Sequence, residues 1–540
     1  MAVRIDTRRS NAIVAAAFAV TVIFCASAWG EKAGAVPPQP ADAGTLARIA
    51  AQRFGTLSPA ELKLVMSAPA KELKWLGPAD GSRNPDNNAA KGAAWGPDRA
   101  VRAEIIRWLA SDPEAVALVH PSGLGIAGAR IKGLLDLTYS KVDKPITIMN
   151  CYMPDGIDLS SANVGDFAIR RASVGTISGN GATFRNDVTI GDGHYGTAAF
   201  FRAHINGNID FTGAHFVSTE RDAIRLIEAV VGGDAIFQNG FSADGMVDAR
   251  LAKIGHDLSF HGAEFTGSDD TGLDAERAEI DGTLYWADVK HTKQTVLDLE
   301  NARVGAIWDD EASWPAPGNL TLSGFVYGEI AGGPDDAPGR LRWLALQPPG
   351  YTPQTYRQVA KVLADTGREE GAADVLIAQQ GVRRRFGHLS ALESAWNVML
   401  EATIGFGFRP LRALWWIGAF VGFGTVVFEW GYRAGIIAPT KRNAYAEFAI
   451  SGEPSPHYPD FNPFVYSLEN FLPVVVLHQD EYWRPNTRLI PPAKGGHRAK
   501  YGPNSIQARL LHWYLWVHIL AGWTITPLLF VGLSGLVHPG

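Results

Sequence analysis

A short pattern that recurs through the middle of the chain restricts its fold more than any other feature. "ITIMNCYM" (146–153), "IDLSSANV" (157–164), "FAIRRASV" (167–174), "IDFTGAHF" (209–216), "IRLIEAVV" (224–231), "LSFHGAEF" (258–265) and "LDLENARV" (297–304) share one reading: apolar, any, apolar, any, any, small, any, apolar. Apolar residues at alternate positions predict short strands with one face turned inward. A small residue at a fixed place predicts a tight corner where a larger side chain has no room; Ala162, Ala172 and Ala182 fall ten apart, and Ala203 and Ala214 eleven apart. One such unit cannot bury its apolar side alone, so the units must stack. A β-sandwich is the other way to use short strands, but it calls for longer ones joined by hairpin turns. The pattern therefore predicts a mainly β chain with a β-helix over 121–331.

The exposed ends of a stack need cover. Residues 31–120 read as a helical cap. In "SPAE" (58–61), Ser58 is placed as N-cap, Pro59 at the first helical position and Glu61 as the closing partner of a capping box. A second helix is expected from about Asp98 to Leu109, with Val101, Ile105 and Leu109 on one face beside Trp108. Residues 332–405 read as a linker and helical hairpin. The Pro/Gly-rich stretch 332–350 precedes "YRQVAKVLADTGREEGAADVLIAQQ" (356–380), which predicts two helices turning near Gly367 and resembles a single tetratricopeptide unit.

Residues 406–540 read as a membrane domain. Segments 411–431 and 510–537 are long and apolar enough to span a hydrocarbon core of ~30 Å. Trp415, Trp416, Trp430, Trp513, Tyr514 and Trp516 suit an interfacial belt. At the other terminus, Arg4, Arg8 and Arg9, an uncharged stretch from Ala12 and the small-residue pattern Ala26-Ser27-Ala28 make 1–30 a signal peptide or an N-terminal anchor. Either one leaves the following chain outside the cytoplasm.

Segment 461–478 lies between the two spans and carries Glu469 and Asn470 near its centre, with Pro463 and Pro473 towards its ends. A carboxylate at membrane depth costs ~2.5 kcal/mol or more on insertion scales. If the segment does not span, nine basic residues (Arg433, Lys441, Arg442, Arg484, Arg488, Lys494, Arg498, Lys500 and Arg509) share one side, which the positive-inside rule makes the cytoplasm. If it does span, the six from Arg484 onward lie outside, against the rule. The expectation is thus an interfacial or re-entrant helix with Tyr482 and Trp483 at the headgroups, a bacterial inner-membrane location and a periplasmic β-helix. The polar residues Glu469, Asn470, His478, Asp480 and Glu481 are then either a solvated helix end or, in a full span or an oligomer, the lining of a conduit.

Candidate chemistry elsewhere is sparse. Lys and Arg total 49 against 55 for Asp and Glu, so there is no electrostatic reason to expect nucleic acid as a partner. Cys25 and Cys151 lie too far apart in context to suggest a disulfide framework. No phosphate loop or dinucleotide fingerprint occurs, and no cofactor is expected. "HDLSFHGAEF" brings His256, Asp257, His261 and Glu264 together in sequence, metal-ligand types whose side chains would point in different directions on a β-helix. "WDDEASW" sets Asp309, Asp310 and Glu311 between Trp308 and Trp314, either a sugar-binding or acid/base loop or a solvated one.

Together with the repeats, "AWGPDRAVRAEIIRWLASDPEAVALVHPSGLGIAGARIKGLLDL" (94–137), "FNPFVYSLENFLPVVVLHQDEYWRPN" (461–486) and "HWYLWVHILAGW" (512–523) resemble a largely uncharacterised family of bacterial membrane proteins. Its members carry degenerate pentapeptide-like repeats, and some are labelled membrane-associated oxidoreductases. The resemblance implies a right-handed, pentapeptide-repeat-like solenoid with C-terminal transmembrane helices, and brings no catalytic residues. The leading expectation is a non-enzymatic envelope scaffold that meets the membrane and an envelope protein or glycan, and that is open to homo-oligomer formation. The alternatives are a membrane-associated enzyme, redox or carbohydrate-directed, and a channel-like oligomer built on 461–478.

Overall fold

The computed structural model describes residues 40–534 except 72, 79–80, 268–270, 452–453, 455 and 487–505. The expected signal peptide or anchor at 1–30, the basic residues Arg488, Lys494, Arg498 and Lys500, and the last residues of the span 510–537 lie outside the described residues. The chain is a β-solenoid of about nine turns with helices before and after it, and it divides into two compact units, residues 1–217 and 218–540.

In the first unit each coil uses four short strands, as in Ile146–Met149, Tyr152–Met153, Ile157–Asp158 and Asn163–Val164. Ile146, Phe167 and Val188 pair in parallel on successive coils, a step of 21 residues. Alternation turns Ile146, Ile148, Phe167, Ile169, Val188 and Ile190 inward, where all are buried. The corners explain the small residue of the repeat. Ser161, Arg171, Gly181, Arg202 and Gly213 have φ of 59°, 52°, 64°, 53° and 68°, and each immediately precedes one of the five spaced alanines. A left-handed residue reverses the chain sharply, and the next side chain enters the narrowest part of the coil. Ala162, Ala172, Ala182, Ala203 and Ala214 are accordingly buried. Between corners the core is filled by phenylalanines, with Phe184 lying 6.4 Å from Phe167 and 6.0 Å from Phe200.

The cap begins with α1 (Pro40–Phe54) and α2 (Pro59–Ser67). The expected capping box is present: Glu61 N–H donates to Ser58 Oγ (3.1 Å), and Ser58 N–H donates to the Glu61 carboxylate (2.8 Å). Glu61 also takes Arg102 through Nε at 2.7 Å and Nη2 at 3.0 Å. The second helix differs from expectation. Pro97–Arg99 is a single 3-10 turn and Ala100–Arg102 is a strand paired with Arg130–Lys132; only then does α3 (Ala103–Ser111) start, followed by α4 (Pro113–Leu118). Val101 therefore covers the first coil from a strand, while Ile105, Trp108 and Leu109 do so from the helix, all four buried. Backbone pairing with the open edge of the coil outweighs the local helical period there.

The coils of the second unit are longer. Leu258 pairs with Ala235 and with Leu284, steps of 23 and 26 residues. The corner rule persists: Glu228, Leu251, Arg277 and Asn301 are left-handed and precede the buried Ala229, Ala252, Ala278 and Ala302. After the last long strand, Val326–Gly332, come α5 (Ala337–Leu344), α6 (Pro353–Asp365) and α7 (Glu369–Phe386), with the hairpin turning at Gly367, φ 78°. Gln354 and Gln358 of α6 donate to the carbonyls of Phe325 and Tyr327 (2.9 and 2.7 Å), so this helix satisfies an edge that would otherwise be open.

The unit ends in α8 (Ala391–Ile404), α9 (Arg412–Arg433), α10 (Arg442–Ser451), α11 (Pro463–Phe471), α12 (Gln479–Tyr482) and α13 (Ile506–Leu533). By length and composition α9 and α13 can cross a membrane. They run antiparallel, with Gly431 against Leu511, Gly424 against His518, and Pro410, just before α9, against Gly532.

Candidate functional site

The acidic loop does not converge on a common point. Asp309 receives Arg340 through both guanidinium ends (2.8 and 2.9 Å) and Trp314 Nε1 (2.8 Å), and both members of the ion pair are buried. Asp310 caps the turn Glu311–Ser313, accepting from Ser313 N–H (2.8 Å), Ser313 Oγ (2.9 Å) and Asp288 N–H (2.8 Å). Glu311 is exposed and pairs with Arg342. The histidines are equally dispersed. His256 lies 3.9 Å from Asp234 and His261 3.4 Å from Asp288, while Asp257 accepts from Thr283 N–H (2.7 Å) and Glu264 meets His291 at 3.0 Å. Among the described residues, no group of three or more His, Cys, Asp or Glu is arranged to hold a metal.

Segment 461–478 forms a hairpin against α9. Phe461 stacks on Tyr432 (4.8 Å), Tyr466 meets Phe428 edge-on (5.0 Å), and Phe471 stacks on Phe420 (5.4 Å), so α11 runs back from the C-terminal end of α9 towards its middle. Its nine residues cover about 13 Å at 1.5 Å per residue. Trp483–Pro485 then pairs antiparallel with Ile437–Pro439, directly after α9. The chain thus returns to the end of α9 that it left.

Glu469 holds the two arms of this hairpin together. Its Oε1 accepts the N–H groups of Leu477 (2.9 Å) and His478 (2.7 Å), and its Oε2 those of Gln479 (2.7 Å) and Asp480 (3.2 Å). Four convergent backbone donors form a nest that replaces water around a buried carboxylate. Asn470 donates to Tyr466 O (2.8 Å), and Asp480 O accepts from Arg484 Nε (3.1 Å). His478, left-handed at φ 63°, lies 3.5 Å from Glu481, both exposed. Deeper in, Ser467 Oγ donates to Val421 O (2.8 Å) and His518 Nε2 to Ser467 O (3.0 Å). Gly522 is required beside them, since a Cβ there would lie 1.7 Å from the Phe471 carbonyl oxygen.

A polar groove on the first unit is absent from the sequence-based expectations. Gly128, Asn150, Arg171, Asp192 and Gly213 are left-handed corners (φ 68°, 48°, 52°, 44° and 68°). They stack coil upon coil, because Ala127, Met149, Arg170 and Gly191 pair in register just before them. The 3-10 turns Gly81–Arg83, Pro85–Asn87 and Ala89–Ala94 cover the first two rungs. Arg99 donates to Gly128 O (2.7 Å) and Asn87 Oδ1 (2.9 Å), Asn150 Nδ2 donates to Asn87 O (3.0 Å), and Trp95 lies 3.5 Å under the Arg99 guanidinium.

The next three rungs stay open. They form one wall of a groove of ≈ 450 Å³ whose other wall includes Ser82, Asn84 and Asn88. His194 and His215, on adjacent coils, stack at 5.4 Å along it. Among the described residues the Arg171 guanidinium has no hydrogen-bond or ion-pair partner. The only trace of this wall in the sequence is the 21-residue step from Asn150 through Arg171 and Asp192 to Gly213, which four different side-chain chemistries conceal.

Comparisons of the chain with protein-family models, curated proteins and solved structures return no match.

Proposed function

We propose that this protein is a scaffold of the bacterial envelope, anchored in the inner membrane by α9 and α13, whose solenoid offers the groove beside Arg171 to a partner in the periplasm. The groove carries this reading. It is a concave, pocket-sized site that sets the Arg171 guanidinium, without a partner among the described residues, two stacked imidazoles, side-chain amides and the Asp192 carboxylate on a rigid stack of coils. That mixed set suits a polar, hydrogen-bonding group of an envelope protein or glycan, with Arg171 as its anion-binding end. Asp309 and Asp310, by contrast, are committed to bonds that hold the fold.

The orientation draws support from the hairpin. Because 483–485 returns beside 437–439, Arg433, Lys441, Arg442 and Arg484 gather at one end of α9, and in the sequence the other five basic residues, from Arg488 to Arg509, lie between Arg484 and the body of α13. The positive-inside rule assigns that end to the cytoplasm, which leaves the N-terminal end of α9 and the solenoid in the periplasm. The family resemblance noted for the sequence agrees with this arrangement.

The test is a photoreactive residue at Asn88, in the groove, compared with one at His256, which does not line it, in intact cells. A defined adduct is expected from Asn88 and not from His256, and Arg171→Glu should abolish it. No adduct from Asn88 above the His256 level, or purified protein that carries a flavin, haem or stoichiometric metal, would overturn the scaffold reading.

A further inference from the structure

Helix α8 turns a broad apolar face outward. Ala391, Leu392, Ala395, Trp396, Val398 and Ala402 are all exposed and fall within an arc of about 160° on a helix of 3.6 residues per turn. Every one of them is apolar; the helix's other exposed residue, Glu393, lies outside the arc and pairs with the N-cap Ser390. The opposite side carries Asn397 and Glu401, which both take Arg384 of α7, alongside the core residues Leu400 and Ile404. A helix that faces water has the opposite distribution. The apolar arc also continues onto the candidate span: Trp416 Nε1 donates to Ala402 O (3.0 Å), and Leu411, Leu414 and Trp415 are exposed next to it in the chain. At 14 residues, or about 21 Å, α8 is too short to cross ~30 Å of hydrocarbon. At its start, α7 ends in Arg383, Arg384 and Arg385; Arg383 and Arg385 are exposed, and their guanidinium groups make no hydrogen bond or ion pair among the described residues, although the charge of Arg383 acts on Glu393.

We infer that α8 lies in the surface of the bilayer, with its apolar arc among the acyl chains and Arg383 and Arg385 on negatively charged phospholipid headgroups. This rests on the reading of α9 and α13 as spans. A short helix with a broad apolar face, a tryptophan and flanking arginines has the chemistry of an interfacial segment, and its exposed guanidinium groups match phosphate oxygens. Polar side chains would then turn inward to Arg384 because lipid offers them no partners.

The experiment uses the full chain in vesicles with both cysteines replaced (C25A, C151A) and a nitroxide label at Leu392→Cys, Glu393→Cys or Phe423→Cys in turn. Collision with oxygen, which concentrates in lipid, is compared with collision with a water-soluble nickel chelate. Labels at 392 and 423 are expected to favour oxygen, and the label at 393 nickel. A label at 392 that meets nickel as freely as the one at 393, or that is shielded from both reagents as a second copy of the chain would shield it, overturns the inference while label 423 still reports lipid. If 423 also favours nickel, the span reading fails and the inference fails with it. Adding phosphatidylglycerol to phosphatidylcholine vesicles should raise the oxygen-to-nickel ratio at 392 by roughly twofold or more, and R383Q/R385Q should abolish that rise. An unchanged rise in the double variant overturns the headgroup contact.

Discussion

The coils of the first unit and the helices from α8 onward use the same side chains in opposite places. In the coils Phe184, Phe200, Phe211 and Phe216 are buried, while Arg171 and Arg202 stand in solvent at the corners. In the helices Trp415, Phe423, Val426, Leu520 and Trp523 face outward, while Ser467, Glu469 and His518 are buried. Small residues serve both regions for different reasons. In a coil, alanine fits a corner that the preceding left-handed residue has narrowed. Between α9, α11 and α13, glycine lets backbones approach so that Ser467 and His518 find partners. Hydrophobic periodicity fixes which residues share a face, but the polarity of the surroundings decides whether that face turns in or out.

The largest effect should come from the same truncation made on either side of this inversion. Phe211→Ala is expected to lower stability by about 3–5 kcal/mol, because it empties part of a closed coil. Phe423→Ala, at a side chain 61% exposed, should change it by no more than about 0.5 kcal/mol. Denaturant midpoints of the detergent-solubilised protein measure both, and equal losses would break the comparison.

A smaller effect is expected at the polar interior of the helices. Glu469→Gln leaves some of its four backbone donors without an acceptor, a loss of about 1–3 kcal/mol. The hairpin should become more open to modification near His478, while reconstituted vesicles stay as tight to ions as with the parent protein. A change in ion flux with stability intact would instead favour the conduit reading of Glu469, Asn470, His478, Asp480 and Glu481.

The smallest expected effect is a pH dependence of opposite sign in the two units. Burial acts to raise the pKa of Glu61, but the Arg102 guanidinium and the N–H groups of Ser58 and Arg102 more than offset it and hold the carboxyl below its ordinary value of 4.5. The folded state thus binds this proton less readily than the unfolded chain. Its contribution is complete above pH 4.5 and is lost as pH falls through the lower folded value. Asp274 and Asp298 stack in register with Asp248. Burial, and then neighbouring carboxylates, raise both above the ordinary 3.8. Protonation therefore strengthens the folded coils as pH drops into the window above 3.8. Hydrogen exchange followed on acidification should show the coils around Asp274 gaining protection before the cap around Glu61 loses it. E61Q should remove the loss and D274N part of the gain, and a shared sign in the two regions would refute the assignment.

Much of the architecture was legible because its causes are local. Eight residues of the repeat carry both the strand alternation and the corner, so the β-solenoid could be read without knowing what each coil stacks upon. The capping box at Ser58 and Glu61, the turn at Gly367 and the two long apolar helices are likewise decided within a few turns of chain. The helix expected from Asp98 was misplaced because residues 100–102 obey a partner, the strand 130–132, that no local period reveals.

The candidate sites were the least legible part, since their meaning depends on partners remote in sequence. Asp309 became half of a buried ion pair only when α5 brought Arg340, 31 residues away, against the coil. Glu469 found its four donors 8 to 11 residues on, after a turn that no apolar run predicts. The groove draws on three coils and a cap, and α8 reveals its outward apolar face only once Arg384 is seen to claim Asn397 and Glu401. The coil, its corners and the lengths of the apolar helices follow from residues a few positions apart, because short-range sterics and hydrophobic period suffice for those. Tertiary structure alone decided which polar groups are used up in the fold and which remain free, because a charge or an amide is satisfied by whatever long-range closure of the chain brings within hydrogen-bonding distance.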